Sequence, residues 1–181
     1  MRVLILTLLG CLLASCDSNG SAAADRGKAA GSQGGVALSK LDRSHAGTAA
    51  PDVAFLSRDG TSAKVADFKG KPVLVNLWAT WCAPCIAELP EIDEMAQGET
   101  KRLTVLTISQ DLGGWRAVDK FWTPGKFETI TPRLDQKGNF ATAVEAQGLP
   151  VSVLYDARGR EVWRVNGPLK WTSAAVLSAL R

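Results

Sequence analysis

Two cysteines separated by two residues carry the clearest chemistry in this chain, in the segment Trp81-Cys82-Ala83-Pro84-Cys85. A pair with this spacing can form a redox dithiol, ligate a metal or hold a c-type haem. A c-type haem requires a histidine directly after the second cysteine, where this chain has Ile86. A structural zinc site requires two further ligands, and residues 51–181 contain no other cysteine and no histidine. Because a static disulfide would be unusual across so short a loop, a redox-active dithiol is predicted.

The elements around the pair are predicted to place Cys82 at the N-terminus of a helix. The nearly continuous apolar run Val73–Trp78 indicates a central strand that is buried on both faces. Apolar residues then recur at helical spacing from Ile86 to Met95. Pro84 suits the first turn of a helix, where a missing N–H costs nothing. Since the free amides of a helix N-terminus stabilise negative charge, we expect them to favour the reactive thiolate form of Cys82.

The remainder of residues 51–181 predicts an α/β domain. Parallel strands alternate with helices, and an antiparallel hairpin comes before the last helix. This order predicts a central mixed β-sheet flanked by helices. Strands are expected at Val53–Leu56, Leu103–Ile108, Arg133–Asp135, Val151–Tyr155 and Glu161–Val165, and helices at 114–122, 139–147 and 172–180.

The N-terminus resembles that of a bacterial lipoprotein. Residues 1–15 contain one arginine and the apolar run Val3–Leu13, a pattern that is typical of a signal peptide and too short to span a membrane. The run leads into Ala14-Ser15-Cys16, which is similar to a lipobox and predicts lipidation of Cys16. Asp17 resembles an inner-membrane retention signal of Gram-negative bacteria. The predicted location is therefore the bacterial cell envelope, on the periplasmic face of the inner membrane, with a lipid anchor.

Residues 16–50 are predicted to be the lipidated cysteine followed by a flexible tether. The segment 17–50 is rich in Ala, Gly and Ser and contains no aromatic residue. A Gly-rich coil of this length has a root-mean-square reach of about 30–35 Å. His45 is the only histidine and is expected to be a solvated tether residue. Its isolation argues against serine triads, Cys-His nucleophiles and most zinc hydrolase sites.

Composition and charge limit the class of protein further. A chain of 181 residues that is 46% hydrophobic fits one domain with tails and excludes wholesale disorder. No interior apolar run approaches the roughly 20 residues of a membrane-spanning helix, which excludes a polytopic membrane protein. The net charge of +3 comes from interspersed charges and does not indicate a nucleic-acid partner.

The segment Val75–Cys85, followed by Glu88-Leu89-Pro90, resembles the TlpA/ResA/CcmG branch of extracytoplasmic thiol–disulfide oxidoreductases in the thioredoxin superfamily. The resemblance covers residues 51–181. It implies a thioredoxin-like fold and an enzyme that exchanges disulfides with protein substrates, without a cofactor. Further matching segments are Asp67–Lys71, Gly148-Leu149-Pro150, and Gly167-Pro168 with Trp171, the last of which points to the TlpA members of the branch.

The resemblance also implies a role for each residue of the site. Cys82 is the exposed nucleophile, and Cys85 resolves the mixed disulfide by attacking the Cys82 sulfur. Glu88 corresponds to the family's buried glutamate beneath the dithiol, where burial raises the pKa of a carboxyl group and suits it to proton transfer. Pro150 corresponds to the family's cis-proline, whose loop presents the Leu149 backbone to an extended substrate segment.

Two more positions near the pair receive expected roles. Trp81 is expected to shield the dithiol and to contact partner proteins. Asn76 stands where cytoplasmic thioredoxin has a buried aspartate, and it is expected to be a hydrogen-bonded structural residue. Most of the other tryptophans are expected to have packing roles only: Trp78, Trp115, Trp122, Trp163 and Trp171.

The resemblance implies a reductase that receives electrons from a membrane-embedded thiol transporter. The implied substrates are cysteine pairs in copper chaperones, cytochrome oxidase subunits or apocytochromes c, and a monomer is expected. The dipeptide Ala83-Pro84 favours this direction modestly, because it lacks the histidine that helps make strong oxidants. Three alternatives use the same cysteines: a thiol oxidase or isomerase, a peroxiredoxin-like peroxidase acting through Cys82, and a Cu(I)-binding module.

Overall fold

The computed structural model describes residues 38–181, so the predicted signal peptide, Cys16 and the first part of the predicted tether lie outside the described residues. The strands are β1 (Phe55–Leu56), β2 (Ser62–Ala63), β3 (Val73–Trp78), β4 (Thr104–Ser109), β5 (Pro132–Leu134), β6 (Val151–Tyr155) and β7 (Glu161–Asn166). The α-helices are α1 (Ala83–Glu99), α2 (Trp115–Phe121), α3 (Asn139–Ala143) and α4 (Ala174–Ala179). Among residues 38–181, no helix has the length and apolarity needed to cross a membrane.

The strands form one seven-stranded mixed sheet in the order β2-β1-β5-β4-β3-β6-β7. The central strand β3 runs parallel to β4 and antiparallel to β6. This arrangement confirms the predicted fold class, a thioredoxin-like mixed sheet flanked by helices. The predicted helix 139–147 is shorter than expected and ends at Ala143, just before Glu145 adopts a left-handed conformation with φ of 55°. The two-residue strand β2 was not predicted, because it has no apolar alternation.

The side chains of β3 alternate between two hydrophobic cores. Every residue of β3 is buried. Val73, Val75 and Leu77 belong to one core. Leu74 and Trp78 belong to the other, which also includes the apolar face of α1. Asn76 has the same parity as Leu74 and Trp78, so the strand presents one polar side chain to the face that α1 covers.

The segment 41–50 pairs with the sheet edge along β7. Asp42 and Arg164 exchange backbone hydrogen bonds of 2.8 and 2.9 Å, and Glu161 N donates to Thr48 O at 2.8 Å. Leu41 is buried in the core, and His45 is partly buried in the intervening turn. Residues 41–50, predicted to belong to the tether, are therefore paired with the domain. Composition missed this because the pairing uses backbone groups, which small residues supply as well as large ones.

Candidate active site around the Cys82–Cys85 pair

Cys82 and Cys85 are joined by a disulfide in the turn that leads from β3 into α1, with their Cα atoms 5.3 Å apart. Cys82 is the N-cap residue of α1, and its Sγ accepts a hydrogen bond of 3.3 Å from Cys85 N. Pro84 lies in the first turn, where it displaces no hydrogen bond. The Cys85 amide at the start of α1 therefore points toward Cys82 Sγ and, with the helix dipole, can stabilise a thiolate there when the pair is reduced.

The two cysteines of the disulfide differ slightly in their exposure to solvent. Cys82 is 5% exposed, whereas Cys85 is completely buried. The neighbouring Trp81 side chain is 69% exposed and leaves the core instead of packing in it. Cys82 is therefore the more accessible of the two cysteines, as nucleophilic attack followed by internal resolution would require.

Glu88 lies one turn after Cys85 on α1 and is 4% exposed. Its Oε1 accepts a hydrogen bond from Asn76 Nδ2 at 2.9 Å. Its Oε2 accepts from Trp171 Nε1 at 3.0 Å and from Leu169 N at 3.3 Å. Burial raises the pKa of Glu88, and these three hydrogen bonds oppose that rise because they favour the charged form. The site thus holds a buried carboxyl with an increased affinity for a proton.

Asn76 connects Glu88 to the next strand of the sheet. Its Nδ2 also donates to Ser152 Oγ at 3.0 Å, and the two residues are register partners in the β3–β6 pair. Within residues 38–181, Oδ1 of Asn76 has no hydrogen-bond partner. The residue predicted to be structural is therefore in direct contact with Glu88. Sequence reasoning did not find Ser152, because a serine within an apolar strand gives no signal of its partner.

The loop of residues 167–171, here called the Trp171 loop, contacts α1 through hydrogen bonds to Glu88 and Glu91. Trp171 is completely buried. Its predicted role was packing alone, yet its indole N–H is a direct partner of Glu88. The segment Gly167-Pro168 with Trp171 supports the family resemblance, but nothing local in the sequence connects it with a carboxyl group on α1.

Pro150 directly precedes β6, at the same end of the strands as the disulfide that follows β3. The Leu149–Pro150 peptide bond is cis, and Pro150 is buried. β6 begins directly after it, and Val151 pairs with Leu77 near the end of β3 that leads to Cys82. Leu149 is partly buried and packs against both cores. Pro150 and the Cys82–Cys85 pair therefore lie at the same end of the neighbouring strands β6 and β3.

Asp111 anchors the turn that carries Trp81, and sequence reasoning missed it. It is 2% exposed and accepts hydrogen bonds from Thr80 N at 3.0 Å, Thr80 Oγ1 at 2.6 Å and Ser109 Oγ at 2.7 Å. The next residue, Leu112, is 78% exposed. Two exposed apolar side chains, Trp81 and Leu112, therefore project from two loops that Asp111 ties together.

Among residues 38–181, no group of three or more histidine, cysteine, aspartate or glutamate side chains lies close enough together to hold a metal ion.

Comparison with protein families identifies the family of the chain. A family model described as Redoxin matches residues 45–180. The chain belongs to the Redoxin family.

Several relatives of the chain are named as thiol–disulfide oxidoreductases or interchange proteins. ResA of Geobacillus thermodenitrificans is 39% identical over 127 residues, which cover 68% of this chain and 70% of that protein. The thiol:disulfide interchange protein DsbE of Pseudomonas fluorescens biotype C is 29% identical over 94 residues, or 52% of this chain and 51% of that one. A crystal structure from Chlorobium tepidum, assigned as a DsbE, superposes with a TM-score of 0.65 at 27% identity and covers 75% of this chain and 98% of that chain.

These relatives and the Cys82–Cys85 pair confirm that this Redoxin-family protein is a thiol–disulfide oxidoreductase of the ResA and DsbE type. The narrower likeness to TlpA stays a prediction. So do the individual roles of Cys82, Cys85, Glu88, Pro150 and Trp81, although all five residues lie at or next to one end of the sheet.

Proposed function

We propose that the protein reduces disulfides in partner proteins outside the cytoplasm, using Cys82 and Cys85 as its dithiol. The observation that carries this proposal is the disulfide at the start of α1, with Cys82 slightly exposed, Cys85 completely buried and the buried Glu88 carboxyl one turn further along the helix. A structural disulfide would need neither the unequal access nor the buried carboxyl.

The reaction begins with the reduced pair. The Cys82 thiolate attacks one sulfur of the partner's disulfide, forms a mixed disulfide and releases the partner's other sulfur as a thiolate, which takes up a proton. Cys85 then loses its proton and attacks Cys82 Sγ, which forms the Cys82–Cys85 disulfide and releases the partner's second sulfur. The partner gains two electrons and two protons, and an external dithiol must return two electrons to the enzyme.

Glu88 is proposed to take the proton from Cys85 in the second step. The two residues are three apart on α1 and therefore lie on the same face of the helix. Burial raises the pKa of Glu88, which brings its proton affinity closer to that of a thiol than an exposed carboxyl would have. Cys85 is completely buried, so bulk water cannot easily serve as its base.

The proposed partner surface consists of Trp81, Leu112 and the backbone of the Leu149–Pro150 loop. The first two are the exposed apolar side chains on the loops next to the disulfide. The Leu149–Pro150 loop lies at the same end of the strands as the disulfide and offers backbone groups to an extended segment. Such a surface suits a short polypeptide segment that carries a cysteine pair.

Membrane attachment, the electron donor and the substrates belong to this proposal as well. Lipidation of Cys16 would hold the protein at the periplasmic face of the inner membrane, close to a membrane-embedded thiol transporter that supplies electrons. The resemblance to the TlpA/ResA/CcmG branch favours copper chaperones, cytochrome oxidase subunits or apocytochromes c as substrates. The Ala83-Pro84 dipeptide favours reduction over oxidation.

The reduction potential of the Cys82–Cys85 couple tests the direction of electron flow. The full chain with Cys11→Ser and Cys16→Ser would be equilibrated with thiol redox buffers, and the reduced fraction would be read as an alkylation mass shift. A value near or below about −230 mV is expected for a reductase. A value above about −180 mV would contradict the reductase assignment and support a thiol oxidase or isomerase.

A further inference from the structure

The Trp171 loop holds two glutamates of α1 through four hydrogen bonds. Leu169 N and Trp171 Nε1 donate to Glu88 Oε2 at 3.3 and 3.0 Å. Lys170 Nζ donates to Glu91 Oε1 at 2.6 Å, and Trp171 N donates to Glu91 Oε2 at 3.0 Å. Because Glu88 and Glu91 are three residues apart on one helix face, the loop is attached to α1 at two successive points.

From this geometry we propose that Trp171 is a positioning residue for Glu88, and that its indole N–H keeps this carboxylate oriented and ionised for the resolving step. The inference rests on the proposed function, in which Glu88 accepts a proton from Cys85. Trp171 does not touch the sulfurs in this scheme. It acts only through the carboxylate that it binds.

No cation pairs with Glu88 among residues 38–181, so its hydrogen bonds from uncharged donors are important. β3 contributes the amide of Asn76, and β6 contributes Ser152, which meets Asn76 and not the carboxylate. α1 contributes Glu91, whose negative charge raises the pKa of Glu88. The cation of the Trp171 loop, Lys170, pairs with Glu91. Among residues 38–181, every hydrogen-bond donor to Glu88 is therefore uncharged, and three such donors oppose the cost of burying its negative charge.

Trp171 provides the better of the two hydrogen bonds to Glu88 Oε2. Its indole donates at 3.0 Å, whereas the Leu169 amide is at 3.3 Å. Within residues 38–181, Glu88 Oε1 accepts a hydrogen bond from Asn76 alone. Loss of the indole N–H would leave Oε2 with a single long hydrogen bond, would raise the pKa of Glu88 further and would free the carboxylate to rotate. The raised pKa would slow the proton transfer at low pH, and the loss of orientation would slow it modestly at every pH, while the attack by Cys82 would be unchanged.

The test compares Trp171→Phe with Trp163→Phe in the full chain. Phenylalanine keeps an aromatic ring in the core but removes the N–H. Trp163 is a matched control, because it is also completely buried and its indole donates to a carbonyl, Ala179 O, at 3.0 Å. Exchange with a disulfide-bonded model peptide, supplied with dithiothreitol as electron donor, would be measured between pH 5 and about pH 9.

We expect Trp171→Phe to move the acid limb of kcat to higher pH and to slow exchange about tenfold below that limb, with a modestly lower alkaline plateau and a similar KM. Trp163→Phe should leave the limb in place. An acid limb that Glu88→Gln abolishes but Trp171→Phe does not move would overturn the inference while the proposed function stands. A wild-type chain that does not exchange disulfides would instead contradict the proposed function.

A measurement on the unmutated chain keeps the inference testable if Trp171→Phe does not fold. The Glu88 carboxyl would be followed by ¹³C NMR and the Trp171 indole N–H by ¹⁵N NMR during a pH titration of the oxidised protein. The indole resonance should change with the same midpoint as the carboxyl, while the Trp163 indole stays constant. A Trp171 indole that does not respond to the titration of Glu88 would overturn the inference, whatever the exchange activity.

Discussion

Replacing Asn76 by aspartate places a second carboxyl group against Glu88. Asn76 is completely buried, Glu88 is 4% exposed, and Asn76 Nδ2 lies 2.9 Å from Glu88 Oε1. If both carboxyl groups were ionised, the protein would lose a charge-assisted hydrogen bond of about 1.5–3 kcal/mol. Two like charges about 3 Å apart would also repel by about 5–6 kcal/mol at an effective dielectric constant of about 20.

Retaining one proton on the pair is the less costly alternative. Protonating a carboxyl with an ordinary pKa of about 4 at pH 7 costs about 4 kcal/mol, at about 1.4 kcal/mol per pH unit. Because this is smaller than the combined loss and repulsion, the Asn76→Asp variant should fold with one shared proton that titrates as a property of the pair. We therefore expect it to be less stable than the wild type by about 3–4 kcal/mol at pH 7.

The pH dependence of that loss has a definite sign. The folded variant retains a proton that its unfolded chain releases above about pH 4, so the pKa of the pair is raised on folding. The difference in stability from the wild type should be small below about pH 4 and should grow as the pH rises toward the pKa of the pair. Burial raises the pKa of Glu88 in the wild type in the same sense, so only the difference between the two proteins is informative.

Urea unfolding of both proteins at intervals between pH 4 and about pH 8 would measure this difference. The double variant Asn76→Asp/Glu88→Gln is the matched control, because a glutamine amide can donate to the new carboxylate and no second negative charge remains. Its free energy of unfolding should lack the additional pH dependence of the single variant. The same pH dependence in the single and the double variant would refute the argument that Glu88 is the electrostatic partner of position 76.

The remaining predictions concern the cysteines and the partner surface. Cys85→Ser should accumulate a mixed disulfide between Cys82 and the partner, visible on non-reducing gels, and its absence would count against Cys85 as the resolving thiol. Leu112→Ser should raise KM for a protein disulfide several-fold with little change in kcat, whereas Leu38→Ser, another exposed leucine, should change neither. Cys16→Ser should move the protein from the membrane to the soluble fraction of the cell envelope, and continued membrane association would contradict lipidation.

The secondary structure that positions the site was predictable wherever packing leaves a local pattern. β3 was recognised because a strand buried on both faces is apolar throughout, and α1 because its apolar residues recur at helical spacing. The burial of Glu88 was expected from the family resemblance, and its spacing of three residues from Cys85 agrees with a shared helix face. In each case, the pattern that predicts the feature lies within a short stretch of sequence, although β3 itself pairs with the distant strands β4 and β6.

The partners of Glu88 were not predictable in this way, because they come from distant segments. Trp171 and Leu169 are 83 and 81 residues away in the chain. Ser152 is 76 residues from Asn76. Nothing in the composition around these residues distinguishes a hydrogen-bonding tryptophan from one that only fills space. The pairing of residues 41–50 with β7 was not predictable for a related reason, since these contacts are mainly backbone hydrogen bonds.

The pairing of residues 41–50 with β7 also determines where the chain enters the domain. The segment runs antiparallel to β7, so its earlier residues lie toward Asn166, and Lys40 Nζ reaches Pro168 O in the Trp171 loop at 3.5 Å. Asn166 pairs with Val151, directly after Pro150. The entry point is therefore on the same side of the molecule as the disulfide. With Cys16 acylated as proposed, the chain from the lipid would join the domain on the side that carries the dithiol, and the proposed tether would leave that side free to meet an electron donor in the bilayer.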